Sequence, residues 1–416
     1  MSPAISPLRT IYRTPPYLLP ESEARVVEIL RKSGPYSRTE IADITGYSRA
    51  KITSVVNHLI ELQVVEETGE GDSHGGRRPR ILNFNAGFGV VAGVDMGATS
   101  LDGALANFKG QIIERRSVSI DVRDGPDSVL NCVCALVAEM LRNQEIAAEQ
   151  LCAVGIGVPG PVEFSTGLLI APPIMPGWEA YPIRNFIRGV FPSAIVIVDN
   201  DVNVMVLGEL RAGAGIREEN FFFVKVGTGI GCGIVVGGKV YRGSTGCAGD
   251  IGHICVDRNG VVCHCGNIGC LEAMAAGPAI AQRAVAAALA GGSPILEKIL
   301  KANNGTLTAK DVGAAGAAGE RAANEIIRES GRMIGEVLAS LVNFFNPSLI
   351  LIGGGVSNIG HQFLASIRRN VLHRSLPLST RHLRIDYSMI GADAGITGAV
   401  YLALDHVFAM KRERAG

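Results

Sequence analysis

At 416 residues the chain is long enough for two or three domains, and with 47% hydrophobic and 19% charged residues it has the composition of a globular protein with a large core. Thirty-nine basic residues balance thirty-nine acidic ones, so net charge indicates no nucleic-acid partner and any such surface must be local. The longest apolar runs, 221–226 and 349–352, are strand-sized and far short of the roughly twenty residues a membrane helix needs, so no membrane association is expected.

Prolines at positions 3, 7, 15, 16 and 20, with no apolar h-region, make residues 1–20 neither a signal peptide nor a helix, and they are expected to form a flexible arm. The nine cysteines are an odd number in a chain without a small disulfide-dense domain, which points to a reducing cytoplasm. Six of them, Cys132, Cys134, Cys152, Cys232, Cys247 and Cys255, lie singly in apolar stretches and are expected to be core thiols.

Residues 21–85 differ from the rest. A first helical pattern covers 22–32. Ser37-Arg-Thr-Glu40 is a capping box that opens a short second helix, and Gly46 is a left-handed stop for it. A third helix begins at Tyr47-Ser48 and carries Ile52, Val55, Val56 and Leu59 at helical spacing, with Arg49, Lys51 and Thr53 on other faces. A short helix, a glycine turn and a longer helix spell helix-turn-helix. Strands near 64–68 and 80–84 about a Gly-rich tip then form a wing, with Arg77 and Arg78 at its base positioned for phosphates or a minor groove. Ser48, Arg49, Lys51 and Thr53 crowd the start of the third helix, where a recognition helix meets base edges. The bland alternative is a three-helix interaction module with a solvated basic hairpin.

From residue 86 onward strands and helices alternate between glycine turns, the signature of an α/β domain. Strands are expected at 90–95, 101–106, 153–158, 194–198, 221–226, 233–236 and 349–352, and helices at 127–142, 322–344 and 395–405. Residues 94–99 and 226–231 echo one another, each a strand running into a Gly/Thr turn, which suits two similar halves about a cleft. Asp95, Gly97 and Thr99 in the first turn suit Mg²⁺-bound phosphates. Gly227, Thr228 and Gly229 in the second present backbone N–H groups to an oxyanion, and Gly354 follows another strand. Asn200 and Asp201 close the strand at 194–198, where a carboxylate can take a proton from a hydroxyl or simply cap a helix.

His253, Cys263, Cys265 and Cys270 place three thiols ten, twelve and seventeen residues after an imidazole, a Cys₃His set for one structural zinc. His264, between two of the cysteines, is a competing donor ranked below His253. Asp250 and Glu272 flank the set, so a clamped loop holds two carboxylates and His253 in register.

These motifs, with Gly157-Val-Pro-Gly160 and Asn346-Pro-Ser-Leu-Ile-Leu-Ile-Gly-Gly-Gly355, together resemble the ROK family of repressors and sugar kinases over about 88–405. The preceding winged helix resembles its repressor branch. The resemblance implies a two-lobed α/β fold of the actin/hexokinase-like sugar-kinase type. One lobe covers about 86–200 with the C-terminal helix and the other about 201–390, behind a DNA-binding domain at 21–85. It implies that Asp201 matches the catalytic base, that Gly160, Asn200, Asp201, Asp250, His253 and Glu272 hold the sugar, and that His253 also ligates zinc. One position departs from the family: its kinases usually read Glu-X-Gly-His where this chain has Asp250-Ile-Gly-His253, drawing the carboxylate back by about 1.5 Å.

Two functions of different classes follow. The first is a sugar-responsive transcriptional repressor, binding operator DNA as a homodimer or homotetramer with a sugar effector. The second is an ATP-dependent sugar kinase with an accessory N-terminal domain, using Mg-ATP. A metal or redox sensor built on the cysteines ranks third.

Overall fold

The computed structural model describes residues 15–70 and 79–410 and falls into two compact units. One comprises Met1–Val158, Ala180–Asp199 and Ala399–Gly416, and the other Pro159–Glu179 and Asn200–Gly398.

In the first unit a five-stranded sheet runs in the order Ile195–Asn200, Leu151–Val158, Val90–Met96, Ser100–Asn107, Ile112–Ser119. The last three form an antiparallel meander, and Leu151–Val158 joins Val90–Met96 in parallel. Leu151–Val158 is buried along its whole length, as its unbroken apolar sequence requires of a strand covered on both faces. The helix Pro126–Asn143 buries Val129, Leu130, Val133, Leu136, Val137 and Met140, one stripe at helical spacing. A second close approach has no side chains in it. A Cβ on Gly155 would lie 2.2 Å from the Ala399 carbonyl oxygen, so the strand meets the helix Ala394–Val407 backbone to backbone.

The N-terminal helices follow the local signals. Ser37 Oγ accepts from the Glu40 amide at 3.3 Å while the Glu40 carboxylate accepts from the Ser37 amide at 2.7 Å, and Gly46 ends Arg38–Thr45 at φ 72°. Ser48 caps Arg49–Glu61, which buries Ile52, Val55, Val56 and Leu59. Val65–Glu70 and Arg80–Phe84 pair antiparallel, with the two-residue strand Tyr36–Ser37 on the far side of Arg80–Phe84. Glu67 sits between Arg38 and Arg80, and these two guanidiniums hold its carboxyl below the usual range.

Two expectations need correction. Residues 17–19 are not part of a flexible arm: Tyr17–Leu19 is a strand paired in parallel with Phe408–Met410, and Tyr17 and Leu19 are fully buried. Tyr17, Phe84, Phe88, Phe108 and Phe408 pack ring to ring with centroids 5.4–6.4 Å apart, enough apolar area to order a proline-flanked segment. Beside them Arg31 donates to Asp405 at 2.9 Å. Nor are all six scattered cysteines core thiols. Cys134, Cys152 and Cys232 are buried, but Cys132 lies on the outer face of its helix and Cys247 and Cys255 in exposed loops.

The second unit repeats the sheet plan. Its order is Lys239–Tyr241, Ile230–Val236, Phe221–Val226, Leu349–Gly353, Arg384–Tyr387: an antiparallel meander followed by parallel strands. The echo between 94–99 and 226–231 is therefore a repeat of strand, turn and strand in the same sheet position. One sheet face is packed by Asp201–Ala212. The long helix Arg321–Phe345 packs against His361–Arg374 and contributes Ile326, Ile327, Ile334, Val337, Leu338 and Val342 to the core. Among the described residues no single helix is long and apolar enough to cross a membrane; one bent pair, Gly277–Leu289 and Pro294–Ala302, passes that test only jointly, and it supplies Ile280, Ala284, Ala288, Leu296 and Leu300 to this core.

Because the Gly155 contact is backbone on backbone, neither partner can move aside like a flexible side chain. Gly155→Ala should destabilise the protein by about 1–3 kcal/mol, the range for overpacking a dense core. An unchanged urea midpoint would mean that the helix shifts freely.

Candidate functional site

The strand Ile195–Asn200 runs straight into the helix Asp201–Ala212, so two polar side chains stand at the corner. Asn200 is the N-cap: its Oδ1 accepts from the Val202 amide at 2.9 Å, and its Nδ2 donates to the Gly160 carbonyl at 3.0 Å. Capping and site placement are thus the same interaction, and Asn200 ties Gly160 to the helix start. Asp201 is only 5% exposed. Its Oδ1 accepts from the Val202 amide at 2.8 Å and its Oδ2 is held by the Lys225 ammonium. Lys225 is a residue that sequence reasoning missed. It lies in a strand read as wholly apolar, and the signal was a single charge in that run.

Lys225 leads into the turn 227–229. Gly227 donates to the Gly229 carbonyl at 2.9 Å and accepts from the Gly277 amide at 2.8 Å, while Thr228 is exposed. Glu272, in the short helix Leu271–Ala275, accepts from the Ile230 amide at 3.1 Å. A Cβ on Gly229 would come within 2.4 Å of Glu272 Oε2, so glycine there is what admits the carboxylate to the turn. Desolvation by the surrounding protein raises the Asp250 carboxyl above the usual range although its surface is solvent-open; His253 opposes that shift and Glu272 adds to it. Asp250, His253 and Glu272 are thus electrostatic neighbours. Gly354 stands at φ 88°, with the Val226 carbonyl where a Cβ would go.

His253, Cys263, Cys265 and Cys270 offer donor atoms that all lie within 4.8 Å of one another. Cys263 Sγ is 3.7 Å from His253 Nδ1, and Cys265 Sγ is 3.7 Å from Cys270 Sγ. Zinc–sulfur bonds of about 2.3 Å and zinc–nitrogen bonds of about 2.0–2.1 Å at tetrahedral angles would set donors roughly 3.5–3.8 Å apart. Two of the pairs are at that spacing and the other donors lie within 4.8 Å, so the four residues offer a Cys₃His donor set of the kind zinc takes, and exposed His264 is outside it. Burial pushes the Cys270 thiol up to about 12, so ionising it needs a cation nearby. Gly269, at φ 68°, lets the loop double back, since a Cβ would strike the Asp257 carbonyl oxygen.

The remaining sequence-selected residues lie in the first unit. Asp95 is the penultimate residue of Val90–Met96, Gly97 donates to the Ser100 carbonyl at 2.8 Å, and Thr99 is exposed beyond it. Arg49, Lys51 and Thr53 are exposed at the first turns of Arg49–Glu61, while Ser48 spends its hydroxyl as the cap of that helix, accepting from the Lys51 amide at 3.3 Å. Two partners were not expected: Tyr47, whose ring lies 4.2 Å from Lys51 Nζ, and Arg38, which donates to Asn57 at 3.1 Å. Arg77 and Arg78 lie outside the described residues.

The ROK family profile matches residues 91–406. A xylose repressor of Caldicellulosiruptor bescii is 29% identical over 378 residues, covering 88% of this chain and 91% of that protein. A crystallised ROK family transcriptional regulator, a homologue of the E. coli MLC protein, superimposes with a TM-score of 0.81 at 26% identity over 92% of this chain and 95% of that one. A ROK glucokinase from Streptomyces griseus, solved with glucose and AMPPNP, reaches 0.67 at 30% identity, covering all of its own length and 76% of this chain. The two regulators match nearly the whole chain, whereas the kinase leaves about a quarter of it uncovered. From residue 91 to 406 the fold, the glycine turns and the Cys₃His loop belong together, and the chain is a member of the ROK family.

Proposed function

We propose that this protein is a sugar-responsive transcriptional repressor of the cytoplasm, which binds operator DNA through its winged helix and senses a sugar or sugar derivative at the Asp201 site. The observation that carries the reading is coverage: relatives called repressor or transcriptional regulator align along about nine tenths of the chain, and the kinase along only the part matching its own fold. A kinase needs no recognition helix, whereas a receptor can keep a kinase-like pocket without turnover. Retention of Asp201 and of the Gly227 turn favours the alternative, an active ATP-dependent sugar kinase. In that case Thr228 with Gly227, Gly229 and Gly354, and Asp95 with Gly97 and Thr99, would serve Mg-ATP, which supplies the transferable phosphoryl group.

The sugar-holding residues in this proposal are Gly160, Asn200, Asp201, Asp250, His253 and Glu272. With Nδ1 turned to the cysteines, His253 keeps Nε2 for a sugar hydroxyl. Zinc in the Cys₃His set would crosslink the loop from 253 to 270 and hold Glu272 against the Ile230 amide. A sugar releases DNA only if it binds the released state better, typically by about 1–3 kcal/mol of coupling. A paired operator half-site calls for at least a homodimer.

Two experiments follow. Metal analysis of the purified protein should find about one zinc per chain, and Cys265→Ser should lose zinc and sugar response together while leaving operator binding intact; a zinc-free protein that still responds to sugar would remove the structural role assigned to the metal. On DNA selected from a random duplex pool, Arg49→Ala or Lys51→Ala should weaken binding by about tenfold or more, the scale of one lost base or phosphate contact. Binding of D-xylose or D-glucose, followed by calorimetry, should be untouched. Wild-type affinity in both variants would relegate the helix to an interaction module.

A further inference from the structure

Lys225 is the single charged residue of Phe221–Val226, and the other five are buried and apolar. The strand is the centre of its sheet, and the residues beside Lys225 in register are Gly231 on one side and Gly353 on the other. Neither neighbour carries a side chain: Val202 packs over Gly231 and the Phe223 ring over Gly353, and the lysine reaches the start of the helix Asp201–Ala212. There its ammonium, with a side chain 23% exposed, meets the Asp201 carboxylate, 7% exposed. Both oxygens of Asp201 are engaged, one by Lys225 and one by the Val202 amide. A lysine in this position is built in rather than incidental, because burying a carboxylate costs less when a cation is placed against it.

An ammonium seated on a carboxylate oxygen occupies the lone pair that would receive a hydroxyl proton, which a general base must keep open. It does not remove the ability to accept a hydrogen bond, since an ionised carboxylate has about four lone-pair sites. We infer that Lys225 silences phosphoryl transfer: it holds Asp201 as an ion pair, so that a sugar hydroxyl placed there is recognised but not deprotonated. This inference rests on the reading of the Asp201 site as a sugar pocket and explains how such a pocket serves as a receptor. In the suppressed reaction the sugar oxygen bonds to the γ-phosphorus of a nucleoside triphosphate and its proton passes to Asp201 Oδ2. The bond from that phosphorus to the bridging oxygen breaks, and the electron pair leaves on the nucleoside diphosphate. Lys225 acts on this step through Asp201 and is a positioning residue.

The test uses full-length protein with Mg-ATP and D-glucose or D-xylose, measuring ADP release. Wild type should stay at background. Lys225→Met should raise kcat by about 10²-fold or more, the scale of a general base's contribution, with a smaller change in KM, and adding Asp201→Asn should abolish the gain. Lys225→Gln keeps a neutral donor to Asp201, which guards against misfolding of the methionine variant, and should gain activity to a lesser degree. Turnover by wild type at ordinary kinase rates, about 1–100 per second, would overturn the inference. So would folded Lys225→Met and Lys225→Gln proteins that release no more ADP than wild type. Failure of the receptor reading shows separately, as operator binding by wild type that no sugar alters.

Discussion

The contact on which the rest of this structure hangs is the glycine-lined bed of the helix Ala394–Val407. In the second unit a Cβ on Gly208 would lie 2.4 Å from the Ala394 carbonyl oxygen, and one on Gly398 would lie 1.7 Å from that of Val204. In the first unit Gly93 and Gly155 admit the stretch around Ala399 in the same way. Such approaches leave almost no slack, because backbone meets backbone and interiors are packed to crystal-like density. The helix then delivers the chain to Phe408–Met410, the strand that pairs with Tyr17–Leu19. Tyr17–Leu19 leads directly into the first helix of the DNA-binding region, and the Arg31–Asp405 ion pair and the aromatic cluster secure that junction.

The Asp201 site combines groups that local rules would assign to duller tasks. Asn200 is a helix cap and also the tether of Gly160. Glu272 accepts a backbone amide and also stands beside Asp250 and His253. Each residue is oriented by a bond it would make in any folded protein, which is why the constellation is pre-arranged without strain. Lys225 breaks the pattern: a charge inside an apolar central strand conflicts with the local rule, and conflicts of this kind concentrate at functional positions.

Much of this was legible in the order of residues. The capping box, the Gly46 stop, the apolar stripe of the third helix and the alternation of strands with helices are local signals, and each element formed within a few residues of its expected bounds. The Cys₃His spacing brought four donors into one cluster because the intervening loop is short and its glycines permit the turn. What sequence could not decide depended on partners distant in the chain. Tyr17–Leu19 reads as a loose proline-flanked arm until a strand almost four hundred residues later covers it. Lys225 reads as a blemish in a strand until the fold sets Asp201 opposite it, across neighbours reduced to glycine. Exposure of Cys132, Cys247 and Cys255 likewise depended on which faces the tertiary packing covered. Local hydrogen bonding and periodicity act over a few residues and are written in the sequence, whereas burial and charge pairing belong to surfaces that exist only once the chain has folded.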